Sequence, residues 1–231
     1  MTKMTTMLCS LMLSGSLLLT AESATAQGGL FGLGADEANP TLTIDPIRIH
    51  LNIPVPVNGA KLYQLLAQAG GEGELSALRN AALARYRAQF DSEMQRHLRE
   101  FFVDEEVPLT QTEALLTLRT IAQLTVVKNL VALESSDGYE VERGTIRLEG
   151  SVRIEVRDRA DRSLFSRDID VGRLRVKKDY TVKSAADGSN SQDTTDAAIS
   201  EVLSEVARRL VRRADGDLEA DELRDLLPAT G

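Results

Sequence analysis

Thr145-Ile146-Arg147-Leu148-Glu149-Gly150-Ser151-Val152-Arg153-Ile154-Glu155-Val156-Arg157 is the stretch that decides the fold. Ile146, Leu148, Val152, Ile154 and Val156 occupy alternate positions, and Arg147, Glu149, Arg153, Glu155 and Arg157 occupy the positions between them. Successive side chains of a strand point to opposite faces, so this period of two predicts a strand with one buried and one wet face. Asp158–Arg162 reads as the turn of a hairpin. A return strand is expected from about Ser163 to Val176, through Phe165, Ile169 and Val171. Gly172 then shifts the apolar phase to Leu174 and Val176, as at a bulge.

Outward from the hairpin, the same alternation marks Thr41–Val57 as a first strand, with Ile47, Ile49, Leu51, Ile53, Val55 and Val57 on one side. Pro54 and Pro56 cannot donate to a ladder, which sends the end of that strand to a sheet edge. Asn58-Gly59 is a turn signal, and Ala60–Ala69 reads as a short helix ended by Gly70-Gly71. Glu113–Leu133 is Thr- and Val-rich and reads as a strand, with a helix possible over Ala114–Leu118.

Two segments carry a helical period. From about Glu74 to Phe102, the positions Leu75, Leu78, Ala82, Tyr86, Phe90, Met94, Leu98 and Phe101 recur every three or four residues. That stripe is longer than one sheet can cover, so part of it is free for another surface. The second helix is expected over about Thr195–Arg213, opened by Asp193 or Thr194. Its last turns carry Arg208, Arg209, Arg212 and Arg213, cations that suit a helix C-terminus. Ser184–Gln192 reads as polar and disorder-like. Strands grouped in sequence, rather than alternating with helices, predict an α+β layer. The expectation is an antiparallel sheet of about four strands, with the long helix and the C-terminal helix packed on one face.

Met1–Ala26 has Lys3, an apolar run over Met7–Thr20 and small residues ending at Ala26. That is the order of a bacterial-type export signal, and it predicts cleavage before Gln27. The run is shorter than the ~20 residues that span a bilayer. Residues 27–40 read as a Gly-rich flexible leader, 41–214 as one α+β domain and 215–231 as an acidic C-terminal tail. The single cysteine, Cys9, lies inside the signal, so export leaves a periplasmic or secreted chain without thiols or disulfides. No transmembrane segment is expected after cleavage.

The net charge of −8 argues against nucleic acid. It is unevenly spread: 143–178 is rich in Arg and Lys, and 215–225 in acids. The basic stretch reads either as a solvated, ion-paired face or as a surface for an anionic envelope component such as a lipid headgroup or polysaccharide.

Chemistry-bearing patterns are few. His50 and His97 have no second ligand or nucleophile at a useful spacing. No nucleophile elbow or phosphate loop is present. No catalytic, cofactor-binding or metal-binding residue is assigned, and the chain is expected not to be an enzyme. One stretch, Asp215–Glu222, resembles the second half of an EF-hand calcium loop. Gly216 falls at the turn, Leu218 at the apolar position, and Asp215, Glu219 and Glu222 at ligand positions. The loop's first and third ligand positions fall on Val211 and Arg213, which do not coordinate a cation.

Three passages, Leu83–Phe102, Thr145–Val171 and Asp193–Ile199, resemble small Gram-negative envelope lipoproteins that act as auxiliary or assembly factors. The lipid-attachment cysteine of such proteins is missing, because Cys9 stands near the start of the apolar run rather than after it. The resemblance implies a periplasmic accessory or assembly protein that binds an envelope protein or an anionic envelope component. It carries over no functional residue. The alternative is a carrier of an amphipathic or lipid-like ligand in a groove between helix and sheet. An enzyme is the third reading, and it needs convergent polar groups in a pocket.

Overall fold

The computed structural model describes residues 38–53, 72–136, 138–185 and 191–227. All of them belong to one compact unit, Glu37–Gly231. The expected signal peptide, the leader up to residue 37, Pro54, Pro56, the Asn58-Gly59 turn and the Ala60–Ala69 helix lie outside the described residues.

The decisive stretch forms the centre of the sheet. Strand β4 (Tyr139–Asp158) pairs antiparallel along its length with β3 (Leu116–Ser136), in a register that sets Thr120 opposite Ile154 and Leu118 opposite Val156. The Glu113–Leu133 segment is therefore strand from Leu116 onward. On its other side β4 carries β5 (Ser163–Asp170) along one half and β6 (Lys177–Ala185) along the other. β7 (Ser191–Asp193) adds to β6. With β1 (Leu42–Ile44) and β2 (Arg48–Asn52) beside β3, the described residues form one seven-stranded sheet, larger than the expected four.

The additional strands come from segments that split or that show no apolar pattern. Thr41–Val57 divides at Asp45-Pro46-Ile47. Pro46 has no N–H for a ladder, and the amide of Ile47 donates instead to Asp91 Oδ1 at 3.0 Å. The expected return strand over Ser163–Val176 is strand only as far as Asp170, and β6 begins beyond it at Lys177. Asp170 Oδ1 accepts the Gly172 N–H at 2.9 Å, which closes a 3-10 turn over Val171–Leu174. Arg175, at φ 53°, ends it and redirects the chain into β6. Ser191 and Gln192, expected to be disorder-like, pair with β6 through their backbone, as does Asp193, expected as an opening residue of the last helix.

The sheet is also not wholly antiparallel. β1 and β2 run parallel to β3. Between them and β3 lies helix α1 (Glu72–Asp104), and a crossover through a helix returns the chain in the same direction.

Helix α1 buries Tyr86, Phe90, Met94, Leu98 and Phe102. Phe102 is fully buried because it continues the four-residue step from Leu98 on the same face, and the expected Phe101 packs partly buried beside it. Helix α2 (Thr195–Leu218) buries Ile199, Val202, Leu203, Val206, Leu210 and Val211, and it runs on past the expected Arg213 to Leu218. A short helix α3 (Ala220–Asp225) follows and buries Ala220 and Leu223. These stripes meet Leu118, Ala122, Leu124, Val152, Ile154 and Val156 in one core. Tyr86 Oη donates to Asp196 Oδ1 at 2.5 Å, and Arg85 donates to Asp196 Oδ2 at 2.9 Å, joining α1 to the start of α2.

Candidate functional site

Two surfaces stand out from the residues upward. The first is the far end of the β3–β4 hairpin. Gly138, at φ 79°, makes the turn. Beyond Thr125, β3 pairs with β4 alone among the described residues. A bulge at Val131 shifts the register between Leu130 and Ala132. Leu130 is 56% exposed, Val131 73% and Leu133 60%. Leu130 and Leu133 stand opposite Gly144 and Glu142, so they extend the core-facing side of the sheet. Val131 sits at the bulge between them.

Under this apolar end lies a buried charged cluster. Tyr180 Oη donates to Glu142 Oε1 at 2.6 Å, and Lys128 Nζ is 2.8 Å from the same oxygen. Lys128 also stands 4.4 Å from the centre of the Tyr180 ring. The ring lies over Gly144, where a Cβ would meet Tyr180 Cε1 at 2.5 Å and Asn129 O at 2.1 Å. Burial, followed by the hydrogen bond to the Glu142 carboxylate, pushes the Tyr180 phenol well above its ordinary value. The cluster fixes the base of the hairpin end, and its groups satisfy one another.

The second surface is a cleft of ≈ 970 Å³ where β5, the 3-10 turn and α2 meet. Arg167, Arg173, Arg209, Arg212 and Arg213 line it, with Asp168 and Asp170. Only Arg167 and Arg173 belong to the basic stretch singled out from sequence. Most of that stretch is ion-paired instead. Arg153 holds Asp168 through two bonds of 3.0 Å, Arg157 pairs with Glu155 at 2.8 Å, Arg143 with Glu134 at 3.0 Å and Lys178 with Glu201 at 2.9 Å. The basic and acidic stretches also pair with each other, through Arg167 and Asp217.

The remaining sequence candidates disperse. His50 is exposed on β2, and His97 lies on α1 beside Glu100, with its Nδ1 3.2 Å from Glu100 Oε2. The EF-hand-like stretch is not a loop. Asp215, Gly216, Asp217 and Leu218 are helical, Leu218 is a core residue, and Glu222 is exposed on α3. Among the described residues, no group of three or more His, Cys, Asp or Glu converges as a metal site. No helix of the described residues is long and apolar enough to cross a membrane.

Sequence reasoning missed both surfaces as sites. Leu130, Val131 and Leu133 fall at the end of the strand expected over Glu113–Leu133. The arginines of α2 read as partners of the helix dipole.

No family model matches the chain, and no curated protein matches it. Among solved structures it is similar to a Helicobacter pylori protein described as a homolog of the neuraminyllactose-binding hemagglutinin. The identity is 14%, over 82% of this chain and 90% of that one, with a TM-score of 0.46. It is also similar to a minor lipoprotein of Acinetobacter baumannii, at 12% identity over 79% and 92% with a TM-score of 0.35. A Caulobacter crescentus protein described as a lipoprotein follows, at 18% identity over 63% and 88% with a TM-score of 0.30.

Proposed function

We propose that this chain is an exported, non-enzymatic accessory protein of the bacterial envelope that docks an envelope protein at the far end of the β3–β4 hairpin. The observation that carries the reading is the exposure of Leu130, Val131 and Leu133 side by side on a strand whose outer edge is unpaired among the described residues. Contiguous exposed apolar side chains mark interaction sites. An open strand edge offers N–H and C=O groups to an added strand. The export signal expected at Met1–Ala26 supports the compartment.

A photo-crosslinking residue introduced at Val131 in the full chain tests the reading. One adduct with an envelope protein, reproduced from Leu133 and absent from the exposed Arg99 on α1, is the expected result. Adducts of the same pattern from all three positions, or none from Val131, would overturn it. N-terminal sequencing of the exported chain tests the address, with Gln27 as the expected first residue.

The carrier reading has less to rest on. It needs an open groove between helices and sheet, and that interface is filled by Phe90, Met94, Leu98, Val202 and Leu203, each 0% exposed. Native mass spectrometry that retained a ligand would revive it.

A further inference from the structure

We infer that the arginine-lined cleft between β5, the 3-10 turn Val171–Leu174 and α2 is a binding site for a phosphoryl-bearing anion. The site is separate from the hairpin end and goes beyond the docking reading.

Four carboxylates in or beside the cleft are already engaged by the protein. Asp168 is held bidentately by Arg153. Asp170 accepts the Gly172 N–H at 2.9 Å and lies 3.4 Å from Arg173. Asp217 pairs with Arg167, and Glu205 with Arg209 at 2.6 Å. Arg212 and Arg213 line the same cleft, and among the described residues neither has an ion-pair partner. Arg173 has a side chain 87% exposed, with only its long contact to Asp170. The cleft therefore keeps a positive excess on a chain whose net charge is −8.

The helix dipole does not account for these arginines. Its influence fades beyond the last turn. α2 continues to Leu218 and has no basic residue in that turn, so Arg212 and Arg213 are held in its interior.

The walls are fixed, which matters for binding because groups held in place lose little freedom when a ligand arrives. Arg209 Nη1 donates to Leu174 O at 2.8 Å, tying α2 to the 3-10 turn. The Arg167–Asp217 pair ties β5 to the same helix nearer its end. Between these ties, guanidinium forks from three elements face one space. Planar forks with several N–H donors match phosphoryl oxygens in pairs. The volume admits more than one such group. The ligand class is a phosphoryl anion, whose source is either a lipid headgroup or a soluble phosphorylated molecule.

The test uses the full exported chain. Calorimetry with sodium pyrophosphate probes the soluble source. Sedimentation with phosphatidylcholine vesicles, with and without phosphatidylglycerol, probes the headgroup. The double variant Arg212→Gln/Arg213→Gln alters two exposed side chains. Arg99→Gln, also exposed, controls for loss of a surface charge elsewhere. Saturable pyrophosphate binding identifies the soluble source, and binding only to phosphatidylglycerol vesicles identifies the headgroup. In either case the double variant is expected to bind about tenfold weaker or worse, the change that corresponds to about 1.4 kcal/mol. Arg99→Gln is expected to bind as the unmodified chain does. The inference is overturned if neither probe binds, if the double variant binds undiminished, or if Arg99→Gln weakens binding equally. Leu133→Ser serves as a further control: it disturbs the hairpin end and should leave anion binding intact, so this inference and the docking reading fail separately.

Discussion

Glu142 Oε1 takes both the hydroxyl of Tyr180, at 2.6 Å, and the ammonium of Lys128, at 2.8 Å. The Lys128 side chain is 17% exposed and that of Glu142 8%, so neither charge is freely solvated. Removing one partner of a buried pair leaves the other uncompensated, at a cost of about 3–5 kcal/mol. Glu142→Ala is expected to cost about that much by urea unfolding. Replacing both charges together, Lys128→Met with Glu142→Leu, is expected to cost less than Glu142→Ala alone. A double variant as unstable as the sum of Lys128→Met and Glu142→Leu measured singly would show that the groups do not act as a pair.

Two glycines give opposite expectations for the same substitution. At Gly144 a Cβ would meet Asn129 O at 2.1 Å, a backbone atom that cannot step aside, and Tyr180 Cε1 at 2.5 Å. Gly144→Ala is expected to destabilise by about 1–3 kcal/mol and to loosen Tyr180 from Glu142. Gly216 lies within α2 and has nothing within 4 Å of its ideal Cβ. Gly216→Ala is expected to stabilise by about 0.5–1 kcal/mol, the helical cost of glycine relative to alanine. Thermal unfolding of both variants checks the pair. A destabilising Gly216→Ala would mean the segment is not helical in solution.

Alkaline pH should weaken the fold through Tyr86. Burial first, and then the hydrogen bond to the Asp196 carboxylate, push its phenol up to about 12. An unfolded tyrosine titrates near pH 10. Below about pH 10 both states keep the proton and this group adds no pH dependence. Between about pH 10 and 12 the unfolded chain releases the proton while the native chain retains it, so stability falls as pH rises. Tyr180 is shifted in the same direction. In Tyr86→Phe the decline of Tm across that window should be shallower, with a lower Tm at neutral pH from the lost bond to Asp196. Equal slopes in the two proteins would remove Tyr86 as a cause.

These positions show where the sequence is legible. β4 and the two long helices can be read because their faces are coded locally, by Val, Ile and Leu at alternate positions or by Tyr86, Phe90, Met94 and Leu98 at helical spacing. β7 cannot be read this way, because Ser191-Gln192-Asp193 carries no apolar residue and is held by backbone pairing to β6. The parallel placement of β1 and β2 depends on the crossover through α1. The 3-10 turn hides because Ile169, Val171, Leu174 and Val176 fit a bulged strand equally well; the Asp170 side chain on the Gly172 amide decides. The cleft is invisible in one dimension, since Arg167 and Arg173 belong to one passage and Arg209, Arg212 and Arg213 to another. Only the fold brings them together. The hairpin end is hidden for a different reason. Nothing local says that the helix layer stops short of Leu130 and Leu133, which share their side of the sheet with buried Val126.

That last feature separates stability from docking. Leu203 is fully buried on α2, and Leu203→Ala should cost about 2–5 kcal/mol by transfer and cavity terms together. Leu133 keeps 60% of its surface in water. Leu133→Ser removes little buried area, so its change in stability should stay within about 0.5 kcal/mol, as for other surface sites. If the hairpin end docks a partner, the same substitution should nonetheless reduce the photo-crosslink yield from Val131 severalfold, because a few apolar side chains carry most of the energy of such contacts. Urea unfolding and crosslinking on one preparation compare the two effects. A Leu133→Ser protein that is stable and still crosslinks fully from Val131 would remove the hairpin end as the docking surface. One that unfolds would instead mean that Leu133 belongs to the core.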